Sequence, residues 1–346
     1  MIFRQLFDSA SGTYTYLLAS RRGGEALLID PVYERVDRYL QLLAELELKL
    51  AKVLDTHVHA DHITAMGELR NRTRCVTVMG EEAPVDVVSM RVRDGDEIGI
   101  EGLSLRAMHT PGHTSDSYCF VMDDRVFTGD TLLIRGTGRT DFQAGDPVAQ
   151  YDSIFYKLLV LPDETLVYPG HDYKGDTVST IWEEKTWNPR LQVRSVEEYV
   201  RLMNNLNLDN PKMMDVAVPA NMKMGRGQRD EDHPNWAVSV SAAGAMVESG
   251  EWVLVDLREA AEREKNGVIP GSVHAPYGRL DQYIGASGTL SEMANSTGRK
   301  LLFYCAYGER SAMAVEVAHE LGLEGACHVI GGIAAWQEAG REIEAA

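Results

Sequence analysis

Asp55-Thr56-His57-Val58-His59-Ala60-Asp61-His62 decides how this chain is read. The stretch places four potential metal ligands, His57, His59, Asp61 and His62, directly after the apolar run around Leu50, Val53 and Leu54. Imidazole and carboxylate are the ligands that borderline divalent metals take. A strand ending in such a loop presents them at a sheet edge, where rigid backbone fixes them and substrate can reach them. The segment is expected to hold a metal.

Three later segments supply further ligands. Thr110-Pro111-Gly112-His113-Thr114 carries a histidine on a Pro-Gly turn. Thr128-Gly129-Asp130-Thr131 places a carboxylate after the strand-like Arg125-Val126-Phe127, and Tyr168-Pro169-Gly170-His171-Asp172 closes a run from Thr165 with another histidine. Each reads as strand, turn, ligand. One histidine after a strand is usually a loop or core residue. Here five of the 10 histidines fall in such segments, with Asp130 between His113 and His171.

THVHADH, TPGHT, TGDTLL and PGHD together resemble the metallo-β-lactamase fold. The resemblance implies an αββα sandwich over residues 1–225, with metal on the edge between two sheets. A narrower resemblance lies in Arg135-Gly136-Thr137-Gly138-Arg139-Thr140-Asp141-Phe142-Gln143, similar to the RGxGRTDFQ segment of persulfide dioxygenases, which glyoxalase II lacks. That family often has Cys where this chain has Thr137. The stretch Val216–Met222 is similar to the same family's tail.

The resemblance implies one Fe(II) per chain, held by His57, His113 and Asp130. Two histidines and one carboxylate on one face leave positions open for O2 and substrate, as in non-haem iron oxygenases. His59, Asp61, His62 and His171 would then surround this site as hydrogen-bond partners, which orient ligands and tune the metal. Arg139 and Tyr173, by motif position, are expected to contact glutathione. The same ligand spacing also serves zinc hydrolases with two filled sites, and spacing alone does not separate the two.

Residues 223–235 are polar, glycine-containing and dense in charge, and a linker is expected at 226–235. Beyond it the pattern resets. Strand-like Trp252–Asp256, Lys300–Tyr304 and His328–Ile330 alternate with helix-like segments, which argues an α/β domain with a mostly parallel sheet over residues 236–346. The loop Cys305-Ala306-Tyr307-Gly308-Glu309-Arg310-Ser311 joins a strand to a helix. Backbone N–H groups and the helix N-terminus there attract anions and favour a thiolate, and Arg310 is expected to add a fixed cation. A buried core cysteine is the plainer reading, but Gly308 and the adjacent charges mark a loop. The motif resembles the C-x-x-G-x-R-S loop of rhodaneses. DLRE (Asp256–Glu259), IPGSVHAP (Ile269–Pro276) and GGIAAW (Gly331–Trp336) fit the same family. The resemblance implies that Cys305 and Arg310 are catalytic.

The chain has 346 residues, 34 basic and 52 acidic, for a net charge of −18. The length suits two domains, and the charge disfavours nucleic acid and anionic membranes. It also repels anionic substrates, so Arg139 and Arg310 are expected to offset it locally. The 4 cysteines are too few and scattered for a disulfide framework. The opening MIFRQLFDSASG lacks the apolar run of a secretory signal, and no stretch approaches a membrane span. A cytoplasmic protein is expected, and the sequence leaves a homo-oligomer open.

Both resemblances concern sulfane sulfur. The expectation is a bifunctional enzyme acting on glutathione persulfide, glutathione, thiosulfate, sulfite and O2. The alternative is a zinc-dependent thioester hydrolase of the glyoxalase II type joined to a sulfur-carrier rhodanese. A silent redox-binding module is disfavoured by the intact ligand set and the intact Cys305 loop.

Overall fold

The computed structural model describes residues 1–346 except 86, 143, 207, 209–212 and 224–235, so the linker expected at 226–235 lies outside the described residues. The chain divides into two compact units, residues 1–86 with 91–224, and residues 87–90 with 225–346.

The first unit is built on two sheets of mirrored order. One runs β1 (Ile2–Asp8), β2 (Thr13–Ala19), β3 (Glu25–Ile29), β4 (Lys49–Leu54), β5 (Val76–Gly80) and β6 (Met90–Val92). The other holds β7 (Glu97–Ile100), β8 (Leu103–His109), β9 (Tyr118–Val121), β10 (Arg125–Gly129), β11 (Leu166–Pro169) and β12 (Ser179–Thr180), joined in the order β12-β11-β10-β9-β8-β7. β3, β4 and β5 are parallel neighbours, and β10 pairs with β11 in parallel. Parallel strands are buried on both faces, which is why these segments read as near-continuous apolar runs.

The two sheets meet through aromatic rings. Tyr16 of β2 lies 5.0 Å from Phe127 of β10 and 5.6 Å from Tyr168 of β11, centroid to centroid. Its hydroxyl donates to the Pro169 carbonyl at 2.5 Å. Such ring pairs contribute about 0.5–1.5 kcal/mol each beyond burial. On the outer side of the second sheet, Ile154 and Leu158, Ile181, and Tyr199 and Met203 pack from three helical segments onto Val126 and Val167. On the first sheet, helix Met66–Thr73 packs on β4 and β5, and Tyr39 of helix Val36–Glu45 reaches Thr15 at 2.9 Å. The architecture is the αββα sandwich of the metallo-β-lactamase fold.

The second unit has β13 (Ala237–Val238), β14 (Trp252–Asp256), β15 (Val273–His274), β16 (Lys300–Tyr304) and β17 (Cys327–Val329), in the order β13-β17-β16-β14-β15 with every pair parallel. The two-residue period of the strands sorts their side chains onto two cores. Val253, Val255, Leu301 and Phe303 face one side with Leu290 and Ala314. Leu254, Leu302 and Tyr304 face the other with Ala243 and Trp336. Among the described residues, no helix is long and apolar enough to cross a membrane.

Candidate functional site

All the motif ligands of the first unit stand just beyond strand C-termini: His57, His59, Asp61 and His62 after β4, His113 after β8, Asp130 after β10 and His171 after β11. His57, His113 and Asp130 bring one ligand atom each to within 4.8 Å of one another. Their partners determine which atoms are free. Thr56 gives its hydroxyl proton to Asp30, so its oxygen accepts His57 Nδ1–H at 3.0 Å. The Arg139 carbonyl only accepts, so His113 Nδ1 donates to it at 2.7 Å. Both imidazoles are therefore anchored through Nδ1, which leaves Nε2 as the atom available to a metal. Burial, reinforced by His59 and His113, holds the His57 pKa well below its ordinary value, so the ring is a neutral ligand.

Asp130 Oδ1 accepts His171 Nδ1 at 2.6 Å, while Oδ2 lies 3.6 Å from His113 Nε2. Burial opposes the Asp130 charge, but His171 outweighs it and keeps the carboxyl ionised. Two imidazoles anchored through Nδ1 and a fixed carboxylate are a donor set that fits a divalent first-row metal.

A second trio, His59, Asp61 and His62, also converges within 4.8 Å. It is more engaged within the protein. Asp61 Oδ2 accepts His171 Nε2 at 2.8 Å, His62 Nδ1 at 2.9 Å and the Thr13 hydroxyl at 3.0 Å. His171 thus lies between two carboxylates. Burial works against its charge, but Asp130 and Asp61 hold its pKa well above the usual value. His59 Nδ1 and His62 Nε2, by contrast, are buried without a hydrogen-bond partner and retain ligand capacity.

The segment after Asp130 buttresses the first trio. Gly138 N–H donates to the Asp130 carbonyl at 2.7 Å. A Cβ at position 138 would sit 2.1 Å from that carbonyl and 2.8 Å from His113 Nδ1. Only glycine allows this approach. Gly138→Ala is therefore expected to move His113 or Asp130 and weaken metal affinity by roughly 10- to 100-fold. Equilibrium dialysis against a metal buffer checks it, and unchanged affinity would mean the loop does not support the ligands.

A cavity of about 260 Å³ opens over the trio, with His57, His113 and Asp130 among its lining and Arg139, Tyr173 and Arg190 around it. One cation expected to offset the acidic charge here is itself matched. Arg139 does not offer a free charge, because Nε and Nη2 each bond Asp141 at 2.6 Å, and the guanidinium lies 4.9 Å over the Phe142 ring. Tyr173 is 74% exposed and stacks on His171 at 6.1 Å.

In the second unit Cys305 follows β16 directly and is buried. Gly308, at φ +100°, turns its N–H onto Cys305 Sγ at 3.1 Å before helix Glu309–Glu320 begins. The Ser311 hydroxyl lies 3.7 Å from the sulfur. Gly332 holds the loop from behind, since a Cβ there would meet the Cys305 carbonyl at 2.3 Å. Arg310, expected as a fixed cation, is held in place by a carboxylate. Its Nη1 and Nη2 bond the two carboxylate oxygens of Glu262 at 2.7 and 2.6 Å, both side chains largely buried. Backbone N–H groups and the helix N-terminus are left as the anion cradle.

Comparison with known proteins agrees with both folds. Residues 9–87 and 79–171 match the metallo-beta-lactamase superfamily, and residues 239–339 match the rhodanese-like domain. Persulfide dioxygenase ETHE1, mitochondrial, of Mus musculus is 47% identical over 228 residues, which cover 65% of this chain and 89% of that protein. The chain belongs to the persulfide dioxygenase family. A crystal structure of ETHE1 from Myxococcus xanthus superposes with a TM-score of 0.64 at 56% identity, covering 65% of this chain and all of that one. A hydroxyacylglutathione hydrolase of Rhodopseudomonas palustris is 36% identical over 197 residues, 56% of this chain and 75% of that protein. The family gives this persulfide dioxygenase relative, with its C-terminal rhodanese domain, an enzymatic role in sulfur metabolism.

Sequence reading missed two residues that hold the persulfide dioxygenase site. Thr13, at the start of β2, reaches Asp61, His62 and His171. Asn221, in helix Met214–Met222, donates to the His59 and His62 carbonyls at 2.9 and 2.8 Å and accepts Thr64 N–H at 2.9 Å. The family-like stretch Val216–Met222 contains Asn221 but gives it no role, and nothing local marks Thr13, because their partners lie far along the chain. Asn221→Ala leaves three buried backbone groups unpaired and is expected to lower stability by about 1–3 kcal/mol. Urea unfolding of the first unit's transition measures it, and a midpoint equal to wild type would contradict the clamp.

Proposed function

We propose that the first unit is an Fe(II)- and O2-dependent enzyme that oxidises glutathione persulfide to sulfite and glutathione. The second unit moves sulfur between thiosulfate and glutathione through a persulfide on Cys305. The observation that carries the reading is the trio His57, His113 and Asp130, each ligand backed by its own hydrogen bond and facing the cavity. Kinship with persulfide dioxygenases supports it.

His57, His113 and Asp130 would hold the iron. When bound, the iron would supply redox chemistry able to activate O2 towards a persulfide. His171 keeps Asp130 charged and oriented, and its second nitrogen ties Asp61 to the same network. Gly138 and the Arg139 carbonyl fix the His113 ring. Tyr173 remains the proposed glutathione contact, while Arg139 stiffens the cavity wall through Asp141 and Phe142. The net reaction joins one persulfide, one O2 and one water to give glutathione and sulfite.

A second reading, a zinc thioester hydrolase of the glyoxalase II type, draws on the partnerless His59 Nδ1 and His62 Nε2. Metal analysis of the purified protein separates the two. One iron per chain is expected. Two zincs per chain, with thioesterase activity, would overturn the dioxygenase reading.

A further inference from the structure

His113 sits on one loop, and the acceptor that orients its ring, the Arg139 carbonyl, sits on another. His57 is different, because it bonds Thr56 beside it in the chain. The aim of the His113 ring therefore depends on how two loops are held against each other. Helix Pro147–Asp152, which widens into a π-helical turn over Ser153–Leu158, touches both. It grips the His113 loop first. Asp146, its N-cap, donates its N–H to the Gly112 carbonyl at 2.9 Å, and the Ser153 hydroxyl donates to the Pro111 carbonyl at 2.8 Å. Gly112, at φ +144°, packs so closely on Gln150 that a Cβ there would meet the Gln150 Cα at 2.3 Å.

The Gln150 side chain then crosses to the second loop. Its Nε2 donates to the Gly138 carbonyl at 3.1 Å, one peptide before the Arg139 carbonyl that holds His113. Tyr199, in helix Val196–Met203, donates its hydroxyl to Gln150 Oε1 at 2.8 Å. The Gly138 carbonyl only accepts, so the amide nitrogen faces it and the amide oxygen faces Tyr199. Burial pushes the Tyr199 pKa up to about 12, so the phenol keeps the proton it donates. Gln150 and Tyr199 are both fully buried. An apolar side chain would fill that interior without the desolvation cost of an amide. What the amide adds is a bond between elements. The Thr137 hydroxyl also reaches the Gly138 carbonyl, at 3.2 Å, but it belongs to the same loop and moves with it. Gln150 instead ties that carbonyl to the helix that grips the His113 loop.

We propose that Gln150, its amide oriented by Tyr199, is a positioning residue that sets the aim of His113 Nε2 at the metal. It acts through Gly138 and the Arg139 carbonyl, and the site's geometry is fixed before a metal arrives. The inference rests on the metal reading of the trio His57, His113 and Asp130, and it holds for iron and for zinc alike.

The test compares Gln150→Leu and Tyr199→Phe with wild type, each as the full chain. One readout is affinity for Co2+ alone, by equilibrium dialysis. The other is solvent exchange of the His57 and His113 Nδ1–H protons, by NMR of the metal-stripped chain with labelled histidine. The first substitution keeps the bulk of the side chain and loses the amide. It should lower Co2+ affinity by about 10-fold, the lower end of the losses for groups that back a ligand. The His113 Nδ1–H should exchange faster, while the His57 Nδ1–H keeps its wild-type rate because Thr56 holds that ring independently. Tyr199→Phe should act on His113 in the same direction and less strongly. Equal acceleration at both rings would mean a general loosening of the fold and would overturn the proposal. Wild-type exchange at His113, or wild-type Co2+ affinity, in Gln150→Leu would overturn it too. If that variant does not fold, Tyr199→Phe decides, and an unchanged His113 rate there is the contrary result. Wild type that binds no Co2+ sinks the metal reading, and the exchange rates still decide Gln150.

Discussion

His57→Ala and Asp130→Ala are each expected to strip the iron and lower O2 uptake on glutathione persulfide by more than about 100-fold, beyond the range of losses seen for groups that only support ligands. Each removes one of three ligands, and the unpartnered His59 Nδ1 and His62 Nε2 belong to the second trio. His59 Nε2 is directed at Asp30, and His171 is occupied by Asp61 and Asp130. Asp130→Ala also leaves His171 with one carboxylate in place of two. Sulfur transfer from thiosulfate to a thiol should continue in both variants, because the rhodanese unit has its own sheet and its own two apolar cores. The measurements are iron content, O2 uptake and sulfurtransferase rate on the same preparation. Loss of both activities together would point to a shared site or to unfolding, which a thermal melt distinguishes.

Cys305→Ser carries the second large effect. A serine hydroxyl is far less acidic than a thiol and forms no persulfide, so transfer through this position should fall by roughly 1000-fold or more. In the proposed sequence, thiosulfate gives its outer sulfur to Cys305 and releases sulfite. Glutathione then takes that sulfur as glutathione persulfide, and the first unit oxidises it to a second sulfite. With thiosulfate and glutathione as the only sulfur sources, wild type should consume O2 and Cys305→Ser should not. Added glutathione persulfide should still be oxidised by the variant at the wild-type rate. If Cys305→Ser respires on thiosulfate as well as wild type does, the relay through Cys305 is wrong.

The sandwich and the rhodanese domain were legible because their signals are local. Each metal-site motif is a few residues long and ends a strand, so ligand type and strand pattern sit side by side in the sequence. The CAYGERS loop and its GGIAAW partner are equally compact, and the close approach of Gly332 to Cys305 explains why the second motif accompanies the first. What sequence did not show was how charges are settled. Asp141 lies two residues from Arg139, but nothing local shows that the two side chains turn toward each other. Glu262 comes to Arg310 from a different helix, so that pairing is set by the tertiary fold. The roles of Asn221 and Thr13 were hidden for the same reason, since each closes a hydrogen-bond network that exists only once distant strands and helices meet.

The most direct test of the account is O2 uptake by the iron-loaded chain on glutathione persulfide, with sulfite and glutathione quantified together. The account predicts one O2 consumed and one sulfite and one glutathione formed per persulfide, with no dependence on Cys305. No O2 uptake, together with hydrolysis of a glutathione thioester by the zinc-loaded chain, would contradict it.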